Sequence, residues 1–127
     1  MLDKPAAQDL LPAVAKLLRE ITGDAPTPHA VFLSKVAANA VDLATREATL
    51  GPQIAAEERV RLQQLFGESA DLETLNRALA EAMLSGARDG ADPAIRDHLW
   101  RATLDKLSVD QPRYAAYQRH LKGTSGR

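Results

Sequence analysis

Apolar residues recur at intervals of three and four along this 127-residue chain, and no stretch alternates apolar and polar residues at a period of two. Intervals of three and four place side chains on one face of an α-helix, whereas a half-buried strand needs the period of two. Alanine and leucine supply 41 residues, against nine valines and isoleucines. Because alanine and leucine lose little entropy in a helix, and strands favour β-branched side chains, the chain is predicted to be all-α.

Capping and stop residues divide the chain into five predicted helices, followed by a short C-terminal segment. Each helix is expected to begin at a hydroxyl, carboxylate or proline cap and to end at glycine or proline. Short connections favour antiparallel neighbours in a single bundle. The expected limits are Pro5 or Gln8 to Ile21, Thr27-Pro28 to Gly51-Pro52, Pro52 to Gly67, Asp71 to Ser85-Gly86, and Asp92-Pro93 to about Leu107.

Separate structural predictions apply to the two ends of the chain. Pro12 falls inside the first helix and is expected to kink it, because proline lacks the amide hydrogen that the helix needs. In the C-terminal segment, Pro112 and Tyr114 are expected to pack against the bundle. Residues after Tyr117 are expected to be solvated, and residues 121–127 to form a flexible tail.

Size, charge and composition exclude several classes of protein. The length fits one domain over residues 1–127, with an ordered core at about 5–117. A net charge of −1 argues against a protein that coats nucleic acid, although a basic C-terminal segment leaves binding through the tail as a weak alternative. The chain has no cysteine, and it shows neither a secretory signal nor an apolar run of membrane-spanning length. These features predict a cytoplasmic protein without a membrane span.

The second helix has apolar residues around most of its circumference, which predicts that it is the central helix of the bundle. Its polar residues Lys35, Asn39, Asp42 and Arg46 fall on one line. One interpretation is a solvent-facing stripe stabilised by pairs four residues apart. The alternative is a stripe that faces a ligand or a partner.

Four polar residues interrupt the apolar stripes of helices two to five. They are Glu47, Glu58, Asn76 and Lys106. Since an unpaired buried charge costs several kcal/mol, such groups should meet partners or lie near helix ends. The hypothesis is that Lys106 pairs with Glu47 or Glu58 and that Asn76 completes the cluster. The cluster is interpreted as a structural network, as side chains that emerge at helix ends, or as a working site.

Catalytic motifs give little support to an enzyme. His29, His98 and His120 fall on separate elements without the spacing of zinc or di-iron sites, and each is expected at the surface. The serines lack the nucleophile-elbow motif, and no glycine-rich phosphate loop is present. Acid–base chemistry by Glu47 and Glu58 is conceivable, but helical bundles rarely hold such a pair in an open cleft. No catalytic residue, metal ligand or cofactor is therefore assigned.

Several stretches of the chain carry one combined pattern: Lys35–Ala40, Arg46-Glu47, Leu50–Pro52, Glu58–Leu62, Leu65–Gly67, Leu75-Asn76, Leu79, Gly86, His98-Leu99 and Lys106–Tyr114. Together they resemble an uncharacterised bacterial family of small helical proteins, a domain of unknown function whose genes often neighbour acyl-CoA dehydrogenases and aminoglycoside-phosphotransferase-like kinases. The resemblance covers roughly residues 5–117, and the chain departs from the family pattern at Lys35, where arginine is usual, and at Pro12.

The resemblance implies a non-catalytic accessory or protein-interaction module associated with acyl-CoA or phosphotransferase metabolism. The expected partner is an acyl-CoA dehydrogenase or a phosphotransferase-like enzyme, and a homodimer through an alanine-rich helix face is a further expectation. The alternative is a small-ligand, acyl-CoA-like binding protein or a minor enzyme, with Arg113 and Tyr114 as a lid over the polar cluster. The candidate residues are Asn39, Glu47, Glu58, Asn76, Lys106, Asp110, Arg113 and Tyr114.

Overall fold

The computed structural model describes residues 9–11, 13, 14, 16, 17 and 27–124. These residues contain helices and connecting turns and no strand, which confirms the all-α prediction. The residues described between positions 9 and 17 are helical. The helices that follow them are α1 (Pro28–Phe66), α2 (Leu72–Leu84), α3 (Pro93–Asp110) and α4 (Ala115–Thr124). The expected kink at Pro12 and the limits of the first predicted helix lie outside the described residues.

Three predicted N-terminal helix caps, Thr27, Asp71 and Asp92, are confirmed. The Thr27 hydroxyl accepts a hydrogen bond from the Ala30 amide at 3.1 Å, and Asp71 and Asp92 accept bonds of 2.8 and 2.9 Å from amides in the first turns of α2 and α3. Each bond satisfies an amide that has no partner within its own helix. Gly67 after α1 and Gly86 after α2 have positive φ angles of 69° and 75°, which end these helices at low steric cost.

The predicted break between the second and third helices is wrong, because α1 runs through Pro52 as a single helix of 39 residues. Proline removes one hydrogen bond from a helix, but its fixed φ angle is compatible with helical backbone. Proline disfavours helical backbone in the preceding residue partly through a clash with that residue's Cβ. Gly51 has no Cβ, so this part of the clash is absent. Gly51-Pro52 is therefore tolerated within α1.

The C-terminal segment is also more regular than predicted. Residues 115–124 form α4, so the helix extends past Tyr117 and includes the first four residues of the predicted flexible tail. The side-chain amide of Gln118 donates to the Pro112 carbonyl at 2.6 Å and fixes the turn before α4. Pro112 is half-buried, as expected, but Tyr114 is half-exposed instead of docked. Residues 125–127 lie outside the described residues.

Leu2–Gly51 and Pro52–Arg127 form two compact units, and the single-domain expectation stays a prediction. In the first unit, Ala37 and Ala44 of α1 are buried. Phe32 and Val36 of the same helix are 61% and 42% exposed, so the expectation that apolar residues bury this helix on nearly all sides is wrong. The buried positions are seven residues apart and define one face, which leaves the other apolar faces to solvent.

The Pro52–Arg127 unit has a core that joins three helices. Leu62 of α1, Leu75 and Leu79 of α2 and Ile95 of α3 form one buried cluster. Next to it, the guanidinium of Arg88 lies 5.8 Å from the centre of the Phe66 ring. The same guanidinium donates to the Leu65 carbonyl and to Asp92, both at 3.0 Å. Arg88 thus ties the connection between α2 and α3 to the end of α1.

Candidate functional site

Glu58 and Asn76, two of the four residues of the predicted polar cluster, are hydrogen-bonded to each other. Glu58 lies four residues from Ile54 and four from Leu62, and all three side chains are buried. The side-chain amide of Asn76 donates from Nδ2 to Glu58 Oε1 and to the Leu72 carbonyl, both at 3.0 Å. The predicted inward orientation of Glu58 is therefore confirmed and Asn76 contacts it, while the complete polar cluster stays a prediction. Both residues lie in the Pro52–Arg127 unit.

The other predicted site residues have varied surroundings. Lys106 is half-buried on α3, and its pairing with a glutamate stays a prediction. Glu47 is half-buried in the Leu2–Gly51 unit, so its place in the cluster also stays a prediction. On α1, Lys35, Asn39 and Asp42 are exposed and Arg46 is half-buried, which agrees with the solvent-facing interpretation. The remaining candidates, Asp110, Arg113 and Tyr114, are exposed. Arg113 and Tyr114 are the two residues that the alternative hypothesis assigned to a lid.

A second polar cluster, which the sequence did not predict, contains His98, Arg61 and Asp105. His98 is only 3% exposed, so its expected surface position is wrong. Arg61 Nη2 lies 2.9 Å from Asp105 Oδ2, and this ion pair links α1 to α3. The inner face of α3 includes Ile95, His98 and Asp105, at intervals of three and seven. A helical spacing that starts from Ile95 was the signal that could have placed His98 inside.

Two polar atoms of this second cluster are buried without a hydrogen bond. Neither Nδ1 of His98 nor Nε of Arg61 has a partner among the described residues. Burial and the positive charge of Arg61 lower the pKa of His98, while Asp97 and Asp105 act in the opposite direction. The imidazole is therefore neutral at neutral pH. His29, by contrast, is exposed as predicted, and His120 packs edge-on against Trp100 at 5.5 Å.

Two cavities adjoin Arg61. The first, of about 200 Å³, is lined by Arg61, Gln64, Leu65, Ala94, Asp97 and His98. The second, of about 370 Å³, is lined by Ala56, Glu57, Val60, Arg61 and Arg101. Neither of these two cavities is lined by Glu58, Asn76 or Lys106, the residues of the predicted polar cluster that lie in the Pro52–Arg127 unit.

The described residues bring no three histidine, aspartate or glutamate side chains together in a geometry that could hold a metal ion. Across the described parts of residues 9–17 and 27–124, none of the helices combines the length and the hydropathy of a membrane span.

Residues 24–114 match the model of a protein family described as Domain of unknown function (DUF6285). The chain belongs to this family. The DUF6285 match includes all of α1, α2 and α3, and with them both polar clusters, but it ends before α4. The expected membership of an uncharacterised family is thus confirmed. No curated protein and no solved structure matches the chain.

The buried imidazole of this DUF6285 chain predicts a pH dependence of stability. His98 has a lowered pKa in the folded protein and titrates near pH 6.5 when unfolded. As the pH falls below about 6.5, the unfolded chain binds a proton that the folded chain resists, so the free energy of unfolding decreases. This contribution is fully present above pH 6.5 and is lost as the pH falls through the folded pKa. Urea unfolding between pH 7.5 and 5.5 measures it.

Substitutions distinguish the contribution of His98 to the pH dependence from the contributions of other titratable groups. The variant His98→Gln should show a smaller loss of stability over this pH range, whereas His29→Gln, at an exposed position, should keep the loss seen in the parent chain. The caps Asp71 and Asp92 titrate at lower pH, because hydrogen bonds from the backbone amides of Thr74 and Ala94 lower their pKa values below 3.8. An equal pH dependence in all three proteins would contradict the assignment to His98.

Proposed function

We propose that the chain is a non-catalytic accessory module that binds an enzyme of acyl-CoA or phosphotransferase metabolism in the cytoplasm, through one face of α1. The observation that carries the proposal is an exposed seam on the first half of this helix. Its residues follow one another at alternating intervals of four and three, the spacing with which helices pack in coiled coils. The α1 seam consists of Phe32, Val36, Asn39, Leu43, Arg46 and Leu50.

The exposure of the seam supports binding of a partner helix. Phe32, Val36 and Leu50 are exposed and Leu43 is half-buried, so apolar surface follows the seam for several turns. Exposed apolar patches of this kind are typical of protein interaction sites. Asn39 lies among these apolar side chains, and a polar residue at such a position favours one register and one partner over others. The class of enzyme comes from the family resemblance, whose gene neighbours include acyl-CoA dehydrogenases and phosphotransferase-like kinases.

Two matched substitutions test the seam. Val36 lies in the seam, whereas Val41 lies on the opposite side of the same helix, and the two are 42% and 38% exposed. We expect the purified chain to form a complex with an acyl-CoA dehydrogenase or a phosphotransferase-like kinase encoded beside it. Sedimentation velocity experiments detect this complex. Val36→Asp should weaken this complex at least tenfold, which corresponds to about 1.4 kcal/mol. Val41→Asp should change the dissociation constant by less than about twofold.

Three results would contradict the proposal. One is that neither enzyme binds, and another is that both variants weaken binding equally. The third is that the chain alone sediments as a dimer that Val36→Asp dissociates, because the seam would then be occupied by a second copy instead of an enzyme.

A further inference from the structure

The smaller cavity, between α1 and α3, has the size of a small organic molecule. It measures about 200 Å³, and at roughly 30 Å³ per molecule this volume holds six or seven waters. Arg61, Gln64 and Leu65 line it from α1, and Ala94, Asp97 and His98 line it from α3. All these residues belong to the Pro52–Arg127 unit. The cavity therefore depends on one compact part of the chain.

Two cavity residues have hydrogen-bonding atoms that the described protein leaves unused. His98 is 97% buried, judged by its 3% exposure, and its Nδ1 has no partner among the described residues. The same holds for Nε of Arg61. Buried polar atoms nearly always have a hydrogen-bond partner, so a molecule in the cavity is expected to supply these two. Since the Arg61 Nε–H can only donate, the bound molecule must present an acceptor to it.

The charges around the cavity are already balanced. The guanidinium of Arg61 is paired with Asp105 at 2.9 Å, and Asp97 is paired with Arg101 at 2.8 Å. His98 adds no charge, because burial and Arg61 lower its pKa. Nε of Arg61 and Nδ1 of His98 are buried, and an anion beside them would have no free cation to balance it, which is costly at buried atoms. The balance favours a neutral molecule.

We propose that this cavity binds the neutral amide group of a small ligand. The amide oxygen accepts a hydrogen bond from the Nε–H of Arg61, and the amide N–H donates to Nδ1 of His98. A neutral imidazole with its proton on Nε2 offers an acceptor at Nδ1, and an amide carries an acceptor and a donor side by side. The apolar side chains of Leu65 and Ala94 complete the cavity and accommodate a short alkyl chain.

Nuclear magnetic resonance of the ¹⁵N-labelled full chain tests this proposal with butyramide as the probe. We expect titration at pH 7.5 to shift the Arg61 Nε–H signal and the His98 ring nitrogen signals in a saturable way. The dissociation constant should lie in the millimolar range, because a ligand of so few atoms gains little binding energy. Butyrate has the same chain length but carries a charge, and it should bind at least tenfold more weakly.

Substitutions add a matched comparison. Arg61→Lys keeps the positive charge beside Asp105 but removes the Nε–H, and it should raise the dissociation constant of butyramide at least tenfold. Arg77→Lys makes the same change in an exposed pair with Glu73 and should leave the constant unchanged. If Arg61→Lys does not fold, the titrations of the parent chain with butyramide and with butyrate still test the proposal.

Either of two results would overturn the proposal. Shifts that grow linearly with butyramide concentration would show that the cavity holds water only. Butyrate that binds as tightly as butyramide would show that the site takes anions and that the amide assignment is wrong.

Discussion

Replacement of Leu62 by alanine is expected to lower the free energy of unfolding by about 2–5 kcal/mol. Leu62 is fully buried on α1, and it belongs to the cluster that includes Leu75 of α2 and Ile95 of α3. Loss of its side chain removes apolar contacts to two other helices at once. It also leaves a cavity, because closely packed side chains relax only partly into the space.

The control is a leucine of the same unit that contributes no burial. Leu84, the last residue of α2, is 89% exposed, and Leu84→Ala should change the stability by less than about 0.5 kcal/mol. Urea unfolding followed by circular dichroism measures both variants, with the slope of the transition unchanged from the parent chain. Equal effects of the two substitutions would contradict the position of the core.

Local signals in the sequence predicted the helix ends well. Thr27, Asp71 and Asp92 cap their helices by accepting a hydrogen bond from a backbone amide two or three residues later. Such a contact involves only neighbouring residues, so the local sequence predicts it. The break at Pro52 was also inferred locally, but its outcome depends on the missing Cβ of Gly51 together with the rest of α1. A proline within a helix carries a free-energy cost, and a long helix with buried residues both before and after the proline can offset that cost.

The spacing of apolar residues alone did not identify the inner face of α3, because His98 and Asp105 on that face are polar. The sequence placed Lys106 within the apolar stripe of this helix, yet the buried residues are Ile95, His98 and Val109, and Leu99 is exposed. Polar side chains occupy inner positions of α3 because they meet residues of a different helix. Asp105 meets Arg61, 44 residues earlier in the chain, and no local pattern reveals such a contact.

Glu58 shows the opposite case, in which spacing did predict a buried polar residue. Ile54, Glu58 and Leu62 follow one another at intervals of about one turn on α1, so Glu58 is buried on the same face as the two apolar residues. The sequence also placed Asn76 on the apolar face of α2, where it meets Glu58. Helical spacing thus identified each member, while the packing of α1 against α2 determined that they meet.

Substitution of Asn76 by alanine is expected to lower the free energy of unfolding by about 1–3 kcal/mol. The Asn76 amide donates to Glu58 Oε1 at 3.0 Å, and the residue is half-buried. Without it, a buried carboxyl oxygen of Glu58 loses a donor that water cannot easily replace, and part of the desolvation cost of that oxygen is no longer offset.

A surface pair in the same unit provides the matched control. The Gln53 amide donates to Glu57 Oε1 at 2.8 Å, so it makes the same kind of bond, but both side chains are exposed. Gln53→Ala should therefore change the stability by less than about 0.5 kcal/mol. Equal losses for Gln53→Ala and Asn76→Ala would show that burial adds nothing to the bond between Asn76 and Glu58.

A double-mutant cycle isolates the contact itself. In a chain that already carries Glu58→Met, Asn76→Ala can remove only the bond to the Leu72 carbonyl, so its effect should be smaller than in the parent chain. The difference between the two effects is the coupling energy, expected at about 0.5–3 kcal/mol for groups in direct contact. A coupling energy near zero would mean that the amide of Asn76 stabilises α2 through Leu72 alone. Glu58 would then be held by its other contacts, and the predicted polar cluster would not act as one unit.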